Sequence, residues 1–291
     1  MIKQRLKSVC QVLALGLIAP ASALILTLAP AWSLDSGWAD TEGGSMRLVI
    51  DPAPRDDGTI AGYLDIALDP GWKTYWRDPG SAGIPPMLDF SQSQGIAFEK
   101  MDYPAPVRVD DGYAIWAGYT RPVQLPLTFR PTASAGGRIH ALAFIGICDK
   151  ICVPFQAELA VELPESLTTQ DPVKPDVDQA FARLPEAAGA DFGIDAASLD
   201  LSLNQLTVSA KLPAFRPSGV TAELFVAGPQ GFAFSPPKLI SEHEGVAEWT
   251  VSVEPPSGTD AASVDVALDL VVTLGQRAME QTVSVGGAAE K

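Results

Sequence analysis

Basic residues are scarce in this sequence, and that scarcity limits what the protein binds. Only 20 of its 291 residues are Lys or Arg, against 35 Asp or Glu. Three of the 20, Lys3, Arg5 and Lys7, lie in a predicted leader, so the mature chain has 17 basic residues and a net charge of −18. So acidic a surface disfavours nucleic acid and anionic lipid as partners and keeps the protein soluble.

Long apolar runs are also lacking after the first 31 residues. The longest stretches, 141–147 and 268–274, have the length of strands rather than of membrane-spanning helices. The length of the remaining chain is typical of one or two globular domains.

Residues 1–31 have the order of parts that a secretory signal peptide needs. A basic start is followed by an apolar run from 9 to 28, and Ala29-Pro30-Ala31 offers a small-x-small cleavage site. A retained membrane anchor is the alternative, because the run is long enough to span a bilayer. Pro20 and the small residues favour cleavage, and Cys10 then leaves with the leader. We therefore predict a periplasmic protein, with a membrane-anchored form as the alternative.

The spacing of strand-like runs predicts an all-β fold with two immunoglobulin-like β-sandwich domains in tandem. Prolines and glycines cut the apolar runs at short intervals, which disfavours a helical domain. The predicted division is a first sandwich at 40–164, a Pro-rich linker with one short helix at 165–189, and a second sandwich at 190–287. Strands are predicted at 60–68, 123–129, 139–147, 155–163, 206–212, 221–226, 247–253, 264–274 and 281–285. The order of runs in the second half resembles that in the first, so the second sandwich is predicted to be a duplicate without cysteines.

Cysteine usage is the most informative feature of the composition, because two cysteines remain after export and they lie four positions apart. A disulfide between Cys148 and Cys152 requires Cα atoms about 4.4–6.8 Å apart, whereas an extended chain separates such positions by more than about 12 Å. The chain must therefore turn between them, and apolar runs on each side predict a hairpin end. A loop this small restricts little unfolded-chain entropy, so the bond is a weak structural staple. A short, exposed disulfide is typical of a reversible redox group.

Other interpretations of the pair remain open at this point. A purely structural bridge is common in exported proteins. The interpretation as a metal site has less support, because two thiolates supply only two of the four ligands that such a site needs. Nothing in the sequence places His140 or Met101 near them. Between the cysteines, Lys150 would stabilise a thiolate while Asp149 would oppose it, and the pattern does not say which sulfur attacks first.

Two further segments carry aromatic side chains that are candidates for shielding the disulfide. The first, Gly71-Trp-Lys-Thr-Tyr-Trp-Arg-Asp-Pro-Gly80, holds Trp72, Tyr75 and Trp76 within five residues. At least one of them is expected to pack in the core. The second, residues 110–118, has an acidic turn with Asp110, Asp111 and Tyr113, followed by exposed-looking aromatics. It is either an ordinary hairpin or a loop that covers the cysteines.

These segments together resemble the periplasmic amino-terminal domain of the DsbD family of membrane electron transporters, and most closely its ScsB-type members. The resemblance covers residues 45–163 and rests on the Gly-Trp-Lys-x-Tyr-Trp-Arg run and the cysteine pair that ends in x-Pro. It implies an immunoglobulin-like sandwich with a reversible disulfide at Cys148 and Cys152. It also implies a capping loop near 110–113, with Tyr113 as the shielding aromatic.

The resemblance implies partners that act in trans, because this sequence shows neither the family's multi-span membrane domain nor its thioredoxin-like domain. The implied partners are a thioredoxin-like periplasmic protein and a multi-span membrane electron transporter. The predicted activity is that of a thiol:disulfide oxidoreductase that passes electrons through one cysteine pair and needs no cofactor. The alternatives are a β-sandwich binding or assembly module with a structural disulfide, and an envelope copper-handling protein.

Overall fold

The computed structural model describes residues 34–80, 83–110, 112, 114–133, 136–165, 175–215, 219–259 and 265–286. Within them the chain forms 21 strands and one helix. The predicted signal peptide lies outside the described residues. In the part of the chain that is described, no helix has the length and apolarity needed to span a bilayer.

The first sandwich consists of two sheets that enclose one core. Its strands are β1 Leu34–Asp35, β2 Ala39–Thr41, β3 Gly44–Asp51, β4 Ile60–Leu68, β5 Lys73–Tyr75, β6 Met87–Asp89, β7 Ile96–Met101, β8 Val107–Asp110, β9 Ile115–Tyr119, β10 Val123–Pro131, β11 Gly137–Cys148 and β12 Cys152–Leu163. One sheet has the order β1-β3-β4-β10-β7, with β2 beside β3. The other has the order β12-β11-β5-β9-β8, with β6 beside β11.

Alternation of side chains explains why these segments form strands. In β12, Phe155, Leu159, Val161 and Leu163 lie on the face that enters the first core, while the glutamates between them face solvent. Successive side chains of a strand point to opposite faces, so such a run buries one face only.

The helix α1, Pro175–Ala182, covers the outer face of the first sheet. Its Val177 and Ala180 are fully buried against Val49, Ala61 and Tyr63. The segment predicted as a linker is therefore packed on the first sandwich where it is helical.

The second sandwich also consists of two sheets around their own core. Its strands are β13 Glu186–Ala187, β14 Gly193–Asp200, β15 Gln205–Lys211, β16 Glu223–Ala227, β17 Ala233–Phe234, β18 Lys238–His243, β19 Val246–Glu254, β20 Asp265–Leu274 and β21 Arg277–Gly286. One sheet has the order β13-β21-β20-β16, and the other β14-β15-β19-β17 with β18 beside β19.

The strand order of the first sandwich recurs in the second. The path β3-β4-β10-β7 corresponds to β14-β15-β19-β18, and β12-β11-β5 corresponds to β21-β20-β16. The β8–β9 hairpin has no counterpart among the described residues of the second half, where β18 leads directly into β19. The predicted immunoglobulin-like, all-β fold class is confirmed, and the division into tandem, duplicated domains stays a prediction.

Candidate functional site

The two cysteines face each other at the tip of the longest hairpin. Cys148 is the last residue of β11 and Cys152 the first of β12, and they are the final pair of a ladder that begins at Gly137 and Leu163. Their Cα atoms are 4.1 Å apart and their sulfurs form a disulfide. The predicted turn between the cysteines is therefore present.

The two sulfur-bearing residues differ sharply in their exposure. Cys148 is buried, with 1% of its surface exposed, whereas Cys152 is exposed. The turn residue Ile151 beside Cys152 is 68% exposed, which places an apolar side chain on the open side of the disulfide. A second protein would therefore approach this group from the Cys152 side.

Tyr75 contacts both sulfurs. Its hydroxyl oxygen lies 3.1 Å from Cys148 Sγ and 3.1 Å from Cys152 Sγ. Because the sulfurs of a disulfide carry no hydrogen, the hydroxyl is the donor, and its single hydrogen is shared between the two sulfurs. The side chain is 95% buried, so this hydroxyl belongs to the site rather than to solvent.

Strand β5 brings Tyr75 to the cysteines by pairing with the end of β11. Lys73 is opposite Cys148 and Thr74 is opposite Ile147 in the antiparallel ladder. The buried Thr74 hydroxyl donates a hydrogen bond of 2.8 Å to the Gly146 carbonyl. A Cβ on Gly146 would lie 3.0 Å from the Tyr75 ring, so glycine allows the ring to lie against β11.

Trp116 completes the buried side of the site. Its ring meets that of Tyr75 edge to face, with centroids 5.3 Å apart, and it forms one cluster with Tyr75 and Cys148. The Lys73 ammonium lies 5.0 Å from the Trp116 ring centroid. Trp116 lies in the segment whose aromatics looked exposed, and that prediction is wrong for Trp116, which is 2% exposed. The sequence does not single out Trp116 as a site residue. The only signal for it is its position four residues after the Asp-Gly turn of the predicted capping loop.

The other aromatics of the first segment lie elsewhere. Trp72 packs over Gly43 at the margin of the first core. Trp76 is 1% exposed and meets Phe225 of the second sandwich, with ring centroids 6.0 Å apart. Core packing therefore accounts for Trp72 and Trp76, and Tyr75 alone of the three contacts the disulfide.

The remaining predicted site residues have simpler environments. Asp149 and Lys150 are exposed in the turn between the cysteines. Asp110 ends β8, and its carboxylate accepts a hydrogen bond of 2.9 Å from the Gly112 amide. Asp111 and Tyr113 lie outside the described residues, so their shielding role stays a prediction.

The described residues do not gather the side chains that a metal site needs. They contain no group of three or more His, Cys, Asp or Glu residues arranged to hold an ion. His140 is eight residues before Cys148 on β11, about 26 Å along an extended strand. Met101 ends β7 in the opposite sheet.

Comparison with known proteins agrees with this architecture. Residues 48–164 match the family described as "Thiol:disulfide interchange protein DsbD, N-terminal". The N-terminal periplasmic domain of ScsB from Proteus mirabilis has the same fold, with 22% identity and a TM-score of 0.64 over 88% of this chain and 100% of that one. A conserved domain protein from Bacillus anthracis is 8% identical with a TM-score of only 0.21, over 87% of this chain and 89% of that one. No curated protein matches this sequence.

Proposed function

We propose that this protein, whose residues 48–164 match the family of DsbD amino-terminal domains, is a periplasmic dithiol carrier. It passes reducing equivalents from a membrane or thioredoxin-like donor to disulfides of envelope proteins through Cys148 and Cys152. The observation that supports this most is the asymmetric disulfide, with Cys152 exposed at the hairpin tip and Cys148 buried against Tyr75.

The disulfide is reduced by attack on its exposed sulfur. A donor thiolate attacks Cys152 Sγ, the Cys148–Cys152 bond breaks, and Cys148 leaves as a thiolate. The second donor cysteine then attacks the mixed disulfide and releases Cys152. Two electrons pass from the donor dithiol to this protein, and the donor leaves as a disulfide.

The reduced pair then reduces an acceptor by the reverse sequence. The Cys152 thiolate attacks the acceptor disulfide and forms a mixed disulfide, while one acceptor sulfur leaves as a thiolate. Cys148 next attacks Cys152 Sγ, which restores the disulfide here and releases the acceptor as a dithiol. Cys148 needs no access to solvent for this step, since its only target is the sulfur beside it.

Tyr75 supports both halves of the cycle. Its hydroxyl donates to the sulfurs in the oxidised form, and the same donor stabilises a thiolate on either cysteine after reduction. Hydrogen bonds to charged groups contribute about 1.5–3 kcal/mol, which is enough to favour the thiolate as a leaving group. Trp116, packed behind Tyr75, keeps small thiols away from Cys148.

Trapping of the mixed disulfide in cells tests this proposal. Cys148→Ser leaves the exposed Cys152 without its resolving partner, so it should accumulate adducts with a thioredoxin-like protein. Cys152→Ser is the matched control, and we expect far less adduct from it because Cys148 is buried. The absence of adducts from Cys148→Ser, or a reduction potential well below about −300 mV for the wild-type bond, would indicate a structural disulfide instead.

A further inference from the structure

The residues that directly follow Tyr75 lie against the second sandwich. Tyr75 is the last residue of β5, a strand of only three residues, and Trp76, Arg77 and Asp78 follow it. All three lie at the contact between the two sandwiches. The position of Tyr75 therefore depends on both β5 pairing and the anchoring of the residues after it.

Alternation in the second sandwich explains how this contact forms. In β20, Leu268, Leu270 and Val272 fill the second core, whereas Val271 points the other way and joins the first core. Phe225 and Ala227 of β16 also belong to the first core. Where it meets the first sandwich, this sheet is buried on both faces, which is why residues 224–227 of β16 and 270–272 of β20 are continuously apolar.

Trp76 provides the apolar part of the anchor. Its ring is fully buried and packs edge to face on Phe225. Its backbone amide donates to the Ala117 carbonyl at 3.1 Å, and the Ala117 amide donates to the Pro79 carbonyl at 3.2 Å. Residues 76–79 are thereby held between β9 and the second sandwich.

Arg77 provides the ionic part of the anchor. Its guanidinium pairs with Glu280 on β21, and its Nη1 lies 3.4 Å from Asp269 Oδ2 on β20. The same group stacks over the rings of Trp76 and Tyr103, at 4.8 and 5.7 Å from their centroids. The Arg77 side chain is 20% exposed, while those of Asp269 and Glu280 are 38% and 29% exposed, so this network is partly shielded from solvent.

Asp78 and Arg108 extend the contact on either side. The Asp78 carboxylate accepts hydrogen bonds from the backbone amides of Gly80 and Gly228, and burial raises its pKa. Arg108 Nη2 donates to the Leu224 carbonyl at 2.6 Å, and its guanidinium stacks on Phe225. The second sandwich is therefore attached next to the disulfide site by packing and by hydrogen bonds.

We infer that the second sandwich braces the redox site, and that Arg77 is a positioning residue which holds the Tyr75 hydroxyl against both sulfurs. Arg77 acts through the chain, since it is two residues from Tyr75 and anchors the backbone that follows β5. The inference rests on the proposed exchange function for its biological meaning, but the contact itself is testable with small molecules alone.

A double-mutant cycle that combines Tyr75 and Arg77 substitutions tests the inference, with the ratio of thiolate to thiol as the measured quantity. The pH dependence of alkylation by iodoacetamide is measured on the reduced full chain carrying Cys10→Ser, so that only Cys148 and Cys152 react. Tyr75→Phe removes the donor and should lower the ratio of thiolate to thiol at a fixed pH about tenfold. Arg77→Gln should lower it in the same direction, severalfold, because the hydroxyl moves away from the sulfurs.

The decisive measurement is the double variant. If Arg77 acts through Tyr75, then Arg77→Gln added to Tyr75→Phe changes the ratio no further. Arg77→Lys should restore part of the loss. The matched control is Arg130→Gln, which removes an arginine paired with Glu99 in the opposite sheet and should leave the ratio unchanged. If Arg77→Gln does not fold, then the double substitution Asp269→Asn with Glu280→Gln, which removes both of its carboxylate partners, takes its place in the same cycle.

Two outcomes would overturn the inference. An unchanged ratio in Arg77→Gln, or in the Asp269→Asn and Glu280→Gln double variant used in its place, would mean that the second sandwich does not position Tyr75. A full additional effect in the Tyr75→Phe background would mean that Arg77 acts by another route. Neither outcome touches the proposed carrier function, which depends on the trapped adduct of Cys148→Ser.

Discussion

Substitution of Gly146 by alanine tests how closely Tyr75 packs at the disulfide. A Cβ built at this position lies 2.9 Å from Ile84 Cβ and 3.0 Å from two atoms of the Tyr75 ring. Real Cβ atoms rarely approach neighbours so closely, and both neighbours are partly or fully buried, so the side chains must shift.

The expected cost of Gly146→Ala is that of an overpacked core, about 1–3 kcal/mol of unfolding free energy. For a chain of this size, each kcal/mol corresponds to about 2–4 °C in Tm. Thermal unfolding followed by circular dichroism should therefore show a fall of several degrees. Gly189→Ala is the matched control, because its nearest neighbour is a side-chain oxygen of Asp191 at an ordinary 3.6 Å.

Measuring Gly146→Ala in a Tyr75→Ala variant shows whether contact with the Tyr75 ring causes the loss of stability. In Tyr75→Ala the ring is absent, so two of the three close approaches disappear and the additional cost of Gly146→Ala should shrink. An equal cost in both backgrounds, or no cost in the wild type, would refute the packing described for this site.

Two further predictions concern reactivity and pH. In the reduced protein, iodoacetamide should label Cys152 well before Cys148, as peptide mapping by mass spectrometry would detect; equal labelling would contradict the difference in burial. Burial raises the pKa of Asp78, so the folded state binds its proton more tightly than the unfolded state does. The Asp78 contribution to stability should therefore fall as pH rises from 3.8 through the raised pKa. Asp78→Asn removes this titration. The urea midpoint of the wild type minus that of Asp78→Asn should therefore fall with pH over the same range, and a difference that does not fall would contradict the raised pKa of Asp78.

The sequence predicts the strands of this fold well where one face is apolar and the other polar. Ile60–Leu68 was predicted with the bounds that β4 has, and the alternating face of β12 lies in the first core as expected. Short strands such as β5 and β6 escaped prediction, because three residues carry too little pattern to separate a strand from a loop.

The site was predictable in its chemistry but not in its surroundings. The spacing of Cys148 and Cys152 required a turn, and the turn is there. The choice of Tyr75 over Trp72 and Trp76 depends on the pairing of β5 with the end of β11, which joins residues more than 70 positions apart. Trp116 depends in the same way on the pairing of β9 with β5. Long-range pairing of this kind leaves no local signal in the sequence.

The continuous pairing of the β11–β12 hairpin bears on what reduction of the disulfide would do to the chain. Every residue of both strands is paired from Gly137–Leu163 to the cysteines, so the S–S bond closes a loop that the ladder has already closed. Breaking it frees almost no chain, so we expect the hairpin to keep its shape when the bond is reduced. A partner of the proposed carrier would then have to distinguish the reduced form from the oxidised form by the sulfur atoms themselves.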